Sequence, residues 1–266
     1  MKTDSQILKM KLSCSAIFVF VPMFLAGCVM PEEKTMSTPS VQPGIQCPQT
    51  FESTITKTLS CNYLLFLPRD YGKKQQKWPL ILFLHGAGER GNDLSKVKIY
   101  GPPKFAEENK DFPFIVVAPQ CPADGWWPNE TEILINLLDE VVSHYDVDKE
   151  KVYLTGLSMG GYGTWSLACE YPDNFAAVAP VCGGGMPYLC DRLKNVPVWA
   201  FHGAKDDIVP LRESEEMVEA VNKAGGNAKL TIYPDVGHGA WPGAYDGCEL
   251  YDWFLQHRKT KKTGDK

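Results

Sequence analysis

Several features that would point to common protein classes are missing from this chain of 266 residues. The apolar run Leu12–Ala26 is interrupted by Pro22 and falls short of the roughly 20 residues that a membrane-spanning helix needs. There is no basic excess. Lys and Arg number 27 against 32 Asp and Glu, for a formal charge of −5, so no basic face is available for a nucleic-acid backbone. Neither a CxxC pair nor a His/Cys cluster at zinc spacing occurs, and no metal or cofactor is expected. No internal repeat or second globular domain is visible.

What is present at the N-terminus reads as an export signal. Lys2, Lys9 and Lys11 form a basic segment ahead of the short apolar run. The run ends in Leu25-Ala26-Gly27-Cys28, which resembles the lipobox of bacterial lipoproteins; the alternative is a plain signal peptide. Residues 1–27 are then a signal, and Cys28 is the lipidation site that ties the protein to a membrane. Residues 28–46, rich in Pro, Ser, Thr and Glu, form a tether. Residues 47–258 are the folded domain and 259–266 a charged tail. The expected location is the bacterial cell envelope, on the periplasmic face or at the cell surface, and a monomer is expected.

Of nine cysteines, Cys14 leaves with the signal and Cys28 carries lipid. Export would allow oxidation of others. Cys182–Cys190 and Cys47–Cys61 are candidate pairs, while Cys169 falls inside a helix pattern and reads as core.

From Phe51 onward strand and helix patterns alternate. Strands are expected at Thr54–Leu59, Tyr63–Leu67, Leu80–Leu84, Phe114–Ala118, Val152–Leu154, Ala176–Val181, Val198–Phe201 and Leu230–Tyr233. Leu80–Leu84 (LILFL) is a continuous apolar run, as a strand buried on both faces requires. Helical spacing marks Ile133–Tyr145, Met159–Glu170, Glu213–Ala224 and Glu249–Gln256. Such alternation gives an α/β fold: a mostly parallel twisted sheet with helices on both faces. Only residues 182–197 separate two of the strands, which leaves no room there for a large lid and implies an open site.

Gly156-Leu157-Ser158-Met159-Gly160-Gly161 lies between a buried strand and a helix. In that context GxSxG is a nucleophile elbow, a tight turn that presents the Ser158 hydroxyl with a helix N-terminus behind it. The Met159 N–H would point at an oxyanion. A second donor is expected from Leu84-His85-Gly86-Ala87-Gly88-Glu89-Arg90-Gly91, with Ala87 first and Gly88 as the alternative. His85 reads as a brace for that loop. The acid should follow the serine and precede the histidine. His202-Gly203-Ala204-Lys205-Asp206-Asp207-Ile208-Val209-Pro210 offers Asp206, with Asp207 as rival, and His238 in Gly-His-Gly is the base. Asp235 is a weaker orienter, and His144 and His257 read as solvated. Trp241 and the pair Trp126-Trp127 are candidates for contact with substrate, and Arg90 either contacts substrate or braces its loop.

Four segments carry a resemblance over roughly residues 51–258: LHGAGERG at 84–91, VYLTGLSMGGYGTW at 152–165, HGAKDDIVP at 202–210 and GHGAW at 237–241. Together they resemble bacterial α/β-hydrolase esterases grouped with family 1 carbohydrate esterases and related phospholipase/carboxylesterase-like proteins. Such chains are often named peptidases by analogy with prolyl oligopeptidase. The resemblance implies hydrolysis of carboxylic esters, with acetyl or feruloyl groups on polysaccharides as leading substrates. It implies catalytic roles for Ser158, Asp206 and His238, and oxyanion roles for Ala87 and Met159. One departure is Met186 after Cys182-Gly183-Gly184-Gly185, where a polar residue is common. A serine peptidase and a non-catalytic binding lipoprotein are the competing expectations.

Overall fold

The computed structural model describes residues 44, 46, 48–73 and 75–259. The signal segment, Cys28, most of the tether, Cys47 and residues 260–266 lie outside them. The chain divides after Thr56, and the regular structure belongs to the unit that begins at Lys57.

In chain order the elements are β1 (Tyr63–Phe66), β2 (Trp78–Leu84), α1 (Gly101–Glu108), β3 (Ile115–Pro119), α2 (Thr131–His144), β4 (Val147–Leu157) and α3 (Met159–Glu170). Then come β5 (Ala177–Val181), β6 (Val198–Gly203), α4 (Arg212–Lys223), β7 (Ala228–Tyr233), α5 (Trp241–Tyr245) and α6 (Glu249–Leu255). The strands form a seven-stranded sheet in the order β1-β3-β2-β4-β5-β6-β7. β1 is antiparallel to β3, and the other pairs are parallel.

Alternate strand residues feed two cores, as the two-residue strand period requires. Leu80, Leu82 and Leu84 point to the layer of α2, α3 and α4, packing with Leu134, Trp165 and Met217. Ile81 and Phe83 point to the other layer, with Ala106 of α1, Ala244 of α5 and Phe254 of α6. This explains why β2 is apolar throughout. Burial of one such leucine contributes about 2 kcal/mol.

The chain leaves β2 toward β3 on one side and reaches β4 on the other. The sheet therefore reverses direction between neighbours β2 and β4, and a crevice opens beyond their carboxyl ends. The register pairs Leu84 with Gly156 and Leu157 with Val181, so the loops after β2, β4 and β5 leave at one level. Between β5 and β6 the chain forms only a 3-10 segment, Pro187–Leu193.

Three local expectations are corrected. Residues 54–59 form no strand; they are mostly exposed, so their strand-like pattern has no buried face to hold it in a sheet. Cys182 and Cys190 are free thiols: Cys182 sits at the end of β5, while Cys190 packs against Cys169 and lies 4.0 Å from Met217 Sδ. His257 is half-buried against Trp253, with its Nδ1 2.8 Å from the Trp253 carbonyl. His144 is exposed, as expected.

Candidate active site

Ser158 joins β4 to α3 at φ 53°, ψ −116°, in backbone space that a side chain rarely adopts. Such a conformation costs about 1–3 kcal/mol and persists only where the surroundings impose it. Here Ser158 N–H donates to Val181 O at 2.8 Å, and Tyr162 N–H closes the first helical turn onto Ser158 O at 3.1 Å. A Cβ on Gly160 would collide with the Leu84 carbonyl, so glycine is what lets α3 start against the end of β2. Met159 and Ala87 occupy the first positions of α3 and of the 3-10 turn Ala87–Glu89. N–H groups there have no intrahelical acceptor and are free to meet an anion.

The three charge-handling groups meet in one relay. His238 Nε2 lies 2.8 Å from Ser158 Oγ, and His238 Nδ1 lies 2.8 Å from Asp206 Oδ2. Asp206 Oδ1 accepts the N–H groups of Ile208 at 3.0 Å and Val209 at 2.9 Å. Burial raises the Asp206 pKa. The hydrogen bonds from His238, Val209 and Ile208 outweigh that and leave it below the usual carboxylate range. The loops bearing acid and base are zipped by Ala204 N–H to Tyr233 O and Lys205 N–H to Val236 O, both at 2.9 Å. Asp207 is exposed, and Asp235 is spent on Lys205 at 2.7 Å, so neither rival reaches His238.

His85 is the expected brace. It is buried, donates from Nδ1 to Gly86 O at 2.6 Å, and accepts Cys121 N–H on Nε2 at 3.0 Å. Burial drops its pKa to about 4. Between that value and the unfolded value near 6.5, the unfolded chain binds a proton that the folded chain refuses, so stability rises with pH across this window. The full effect is about 3 kcal/mol. The melting temperature should therefore fall as pH drops from 6.5 to 4, and fall less steeply in His85→Gln; parallel slopes would contradict this.

For Trp127 the substrate-contact expectation is corrected, and for Arg90 the bracing alternative is the one the structure shows. Trp127 is 2% exposed, and its Nε1 donates to His85 O at 2.9 Å, so it packs beneath the loop after β2. Arg90 donates from Nε to Ala87 O at 3.0 Å and from Nη1 to Gly125 O at 3.1 Å, so it staples that loop to the segment after β3. The exposed ring is Trp126, tilted against Tyr162 at 5.4 Å. With Trp165, Met186 and Leu189 these rings line a cavity of about 190 Å³ along α3, and Tyr162, one helical turn after Ser158, is its lining residue nearest to the serine in the chain. Helical spacing could have flagged Tyr162, four residues after the nucleophile. Trp241 stands edge-on to His238 at 5.5 Å and also touches Tyr100 at 5.4 Å.

Among the described residues, Cys182, His202 and Asp206 form a cluster of metal-ligand type. They fit a metal poorly. Asp206 is committed to His238, both nitrogens of His202 have hydrogen-bond partners, and burial pushes the Cys182 thiol up to about 12.

A mostly parallel sheet with a strained serine after its central strand, an acid after β6 and a histidine after β7 settles the architecture. The chain has the α/β-hydrolase fold. The dienelactone hydrolase family model matches residues 118–242. A probable feruloyl esterase C of Aspergillus terreus is 30% identical over 160 residues, covering 58% of each chain. A poly(3-hydroxyoctanoate) depolymerase of Pseudomonas fluorescens is 26% identical over 208 residues, covering 68% of this chain and 74% of its own. The crystal structure of a thermostable esterase superposes with a TM-score of 0.65 at 33% identity, covering 74% of this chain and 59% of that one. The chain thus spans less than two thirds of the feruloyl esterase and of the thermostable esterase.

Proposed function

We propose that this chain is a serine carboxylic-ester hydrolase that works through an acyl-enzyme. The observation that carries it is the unbroken relay Ser158–His238–Asp206, with both links at 2.8 Å. His238 Nε2 takes the Ser158 proton as Oγ attacks the acyl carbonyl. The N–H groups of Ala87 and Met159 receive the oxyanion, and His238 returns the proton to the departing alkoxide. Water then repeats the sequence on the acyl-enzyme. Asp206 holds the imidazole in one tautomer and stays ionised throughout.

The alcohol must leave beside the base, so Trp241 faces the alcohol side and the Trp126–Tyr162 cavity serves the acyl side. This suits bulky acetylated or feruloylated polysaccharide esters, and the similarity to a feruloyl esterase supports the same assignment. Anchoring by lipid at Cys28 on an exported protein would place the activity at the cell envelope.

The full chain, solubilised in detergent, would be offered 4-nitrophenyl acetate, methyl ferulate and a dipeptide amide. Ester turnover is expected, and amide cleavage without it would overturn the proposal. Trp126→Ala should raise KM for methyl ferulate about tenfold, the loss of one aromatic contact; an unchanged KM would remove the cavity from the acyl side.

A further inference from the structure

The buried histidine that precedes the acid loop plays no part in the relay, yet it touches the acid. His202 is the next-to-last residue of β6 and has no exposed surface. Its Nε2 lies 2.8 Å from Val209 O and 3.2 Å from Asp206 Oδ2. Both neighbours are acceptors, so Nε2 must carry a proton and donate. Its Nδ1 lies 2.8 Å from the hydroxyl of Ser214 on α4, which is also 2.9 Å from Gly183 O just past β5. Ser214 is itself fully buried, so the ring is held from both ends.

The consequence falls on Asp206. Its Oδ1 is saturated by two backbone N–H groups, and its Oδ2 bonds to His238 at 2.8 Å with His202 Nε2 in contact at 3.2 Å. Other titratable groups around this point are the Cys182 thiol at the end of β5 and the Tyr162 hydroxyl of α3, with Glu213 of α4 beside Tyr162. Neither Cys182 nor Tyr162 supplies a positive charge. His202 is the side chain other than the base that stands against Oδ2, and its N–H pins the Val209 carbonyl at the far end of the acid loop.

We propose that His202 is a positioning residue of the hydrolytic relay: its Nε2–H pins Val209, whose own N–H holds Oδ1, and its ring edge stands against Oδ2, so that it fixes the rotamer of Asp206 and keeps Oδ2 turned toward His238. Without that support Val209 loosens its N–H from Oδ1, and the carboxylate gains a rotational choice and becomes more basic. It can then take the proton meant to remain on the base. This inference rests on the triad reading and extends it to a fourth side chain.

The test uses His202→Gln and His202→Asn in the full chain. The glutamine amide nitrogen can reach the place of Nε2, whereas the shorter asparagine reaches only the Nδ1 side, toward Ser214. Turnover of 4-nitrophenyl acetate and the rate of Ser158 labelling by a fluorophosphonate are followed from pH 5 to 9. His202→Asn should lower kcat about tenfold with little change in KM and move the acid limb of both profiles to higher pH, while His202→Gln keeps most of the rate. In an Asp206→Asn background, His202→Asn should cost nothing further.

Equal losses in the two variants, or undiminished additivity with Asp206→Asn, would overturn the proposal and leave His202 a packing residue. Should His202→Asn fail to fold, Ser214→Ala gives the second reading: its acid limb should shift the same way, and an unshifted limb counts against the proposal. Failure of the esterase reading would look different. Ser158 would then be labelled in the parent protein while the esters went unhydrolysed.

Discussion

Replacing Ser158 with alanine is expected to lower kcat on 4-nitrophenyl acetate by roughly a millionfold while leaving the fold intact. The size follows from what the hydroxyl does. Its Oγ is the atom that bonds to the acyl carbon, and nothing else near His238 Nε2 can replace it at 2.8 Å. What survives is the help that the Ala87 and Met159 N–H groups give to attack by water. Stability should hold or rise, because a methyl at φ 53° is no more strained than the hydroxymethyl it replaces. Fluorophosphonate labelling should vanish along with turnover. Full activity in this variant would remove the nucleophile from the proposal.

The second large effect belongs to the acid. Asp206→Asn should cost roughly ten-thousandfold in kcat, because the new amide can donate to His238 Nδ1 and trap the imidazole in the tautomer that cannot accept the serine proton. The backbone N–H groups of Ile208 and Val209 can still bind the remaining carbonyl oxygen, so geometry changes little. Asp207→Asn, one residue along and exposed, should stay within about twofold, as surface changes usually do. Side-by-side kcat values and melting curves decide the matter; the reverse ranking would move the acid to Asp207.

The core of the sheet was legible from the chain because burial on both faces leaves an unmistakable apolar run, as in LILFL, and because GxSxG acquires meaning from the strand before it. The helix α3 spans Met159–Glu170, as its pattern indicates. Other elements were hidden for physical reasons. α1 begins Gly-Pro-Pro, which reads as a breaker, although proline suits the first turn of a helix where its missing N–H has no partner. Trp126 and Trp127 are adjacent and chemically identical. Only the tertiary position of the short turn decides that one ring packs under His85 while the other faces the cavity. Arg90 carries charge in a loop beside the nucleophile, and only the positions of the Ala87 and Gly125 carbonyls reveal that it is spent on backbone. His202 sat inside a quoted motif, but its bearing on Asp206 depends on Ser214 and Val209, residues that the fold, and not the spacing, brings together.

The brevity of the crossover from β5 to β6 also governs the second half of the reaction. With only the 3-10 segment Pro187–Leu193 between those strands, bulk solvent reaches His238, whose side chain is 20% exposed. Once Ser158 bears an acyl group, water at bulk concentration competes with any alcohol or amine for the carbonyl. The partition ratio is thereby set by solvent access as much as by chemistry. On the proposed reading, a site open in this way favours removal of acyl groups over their transfer.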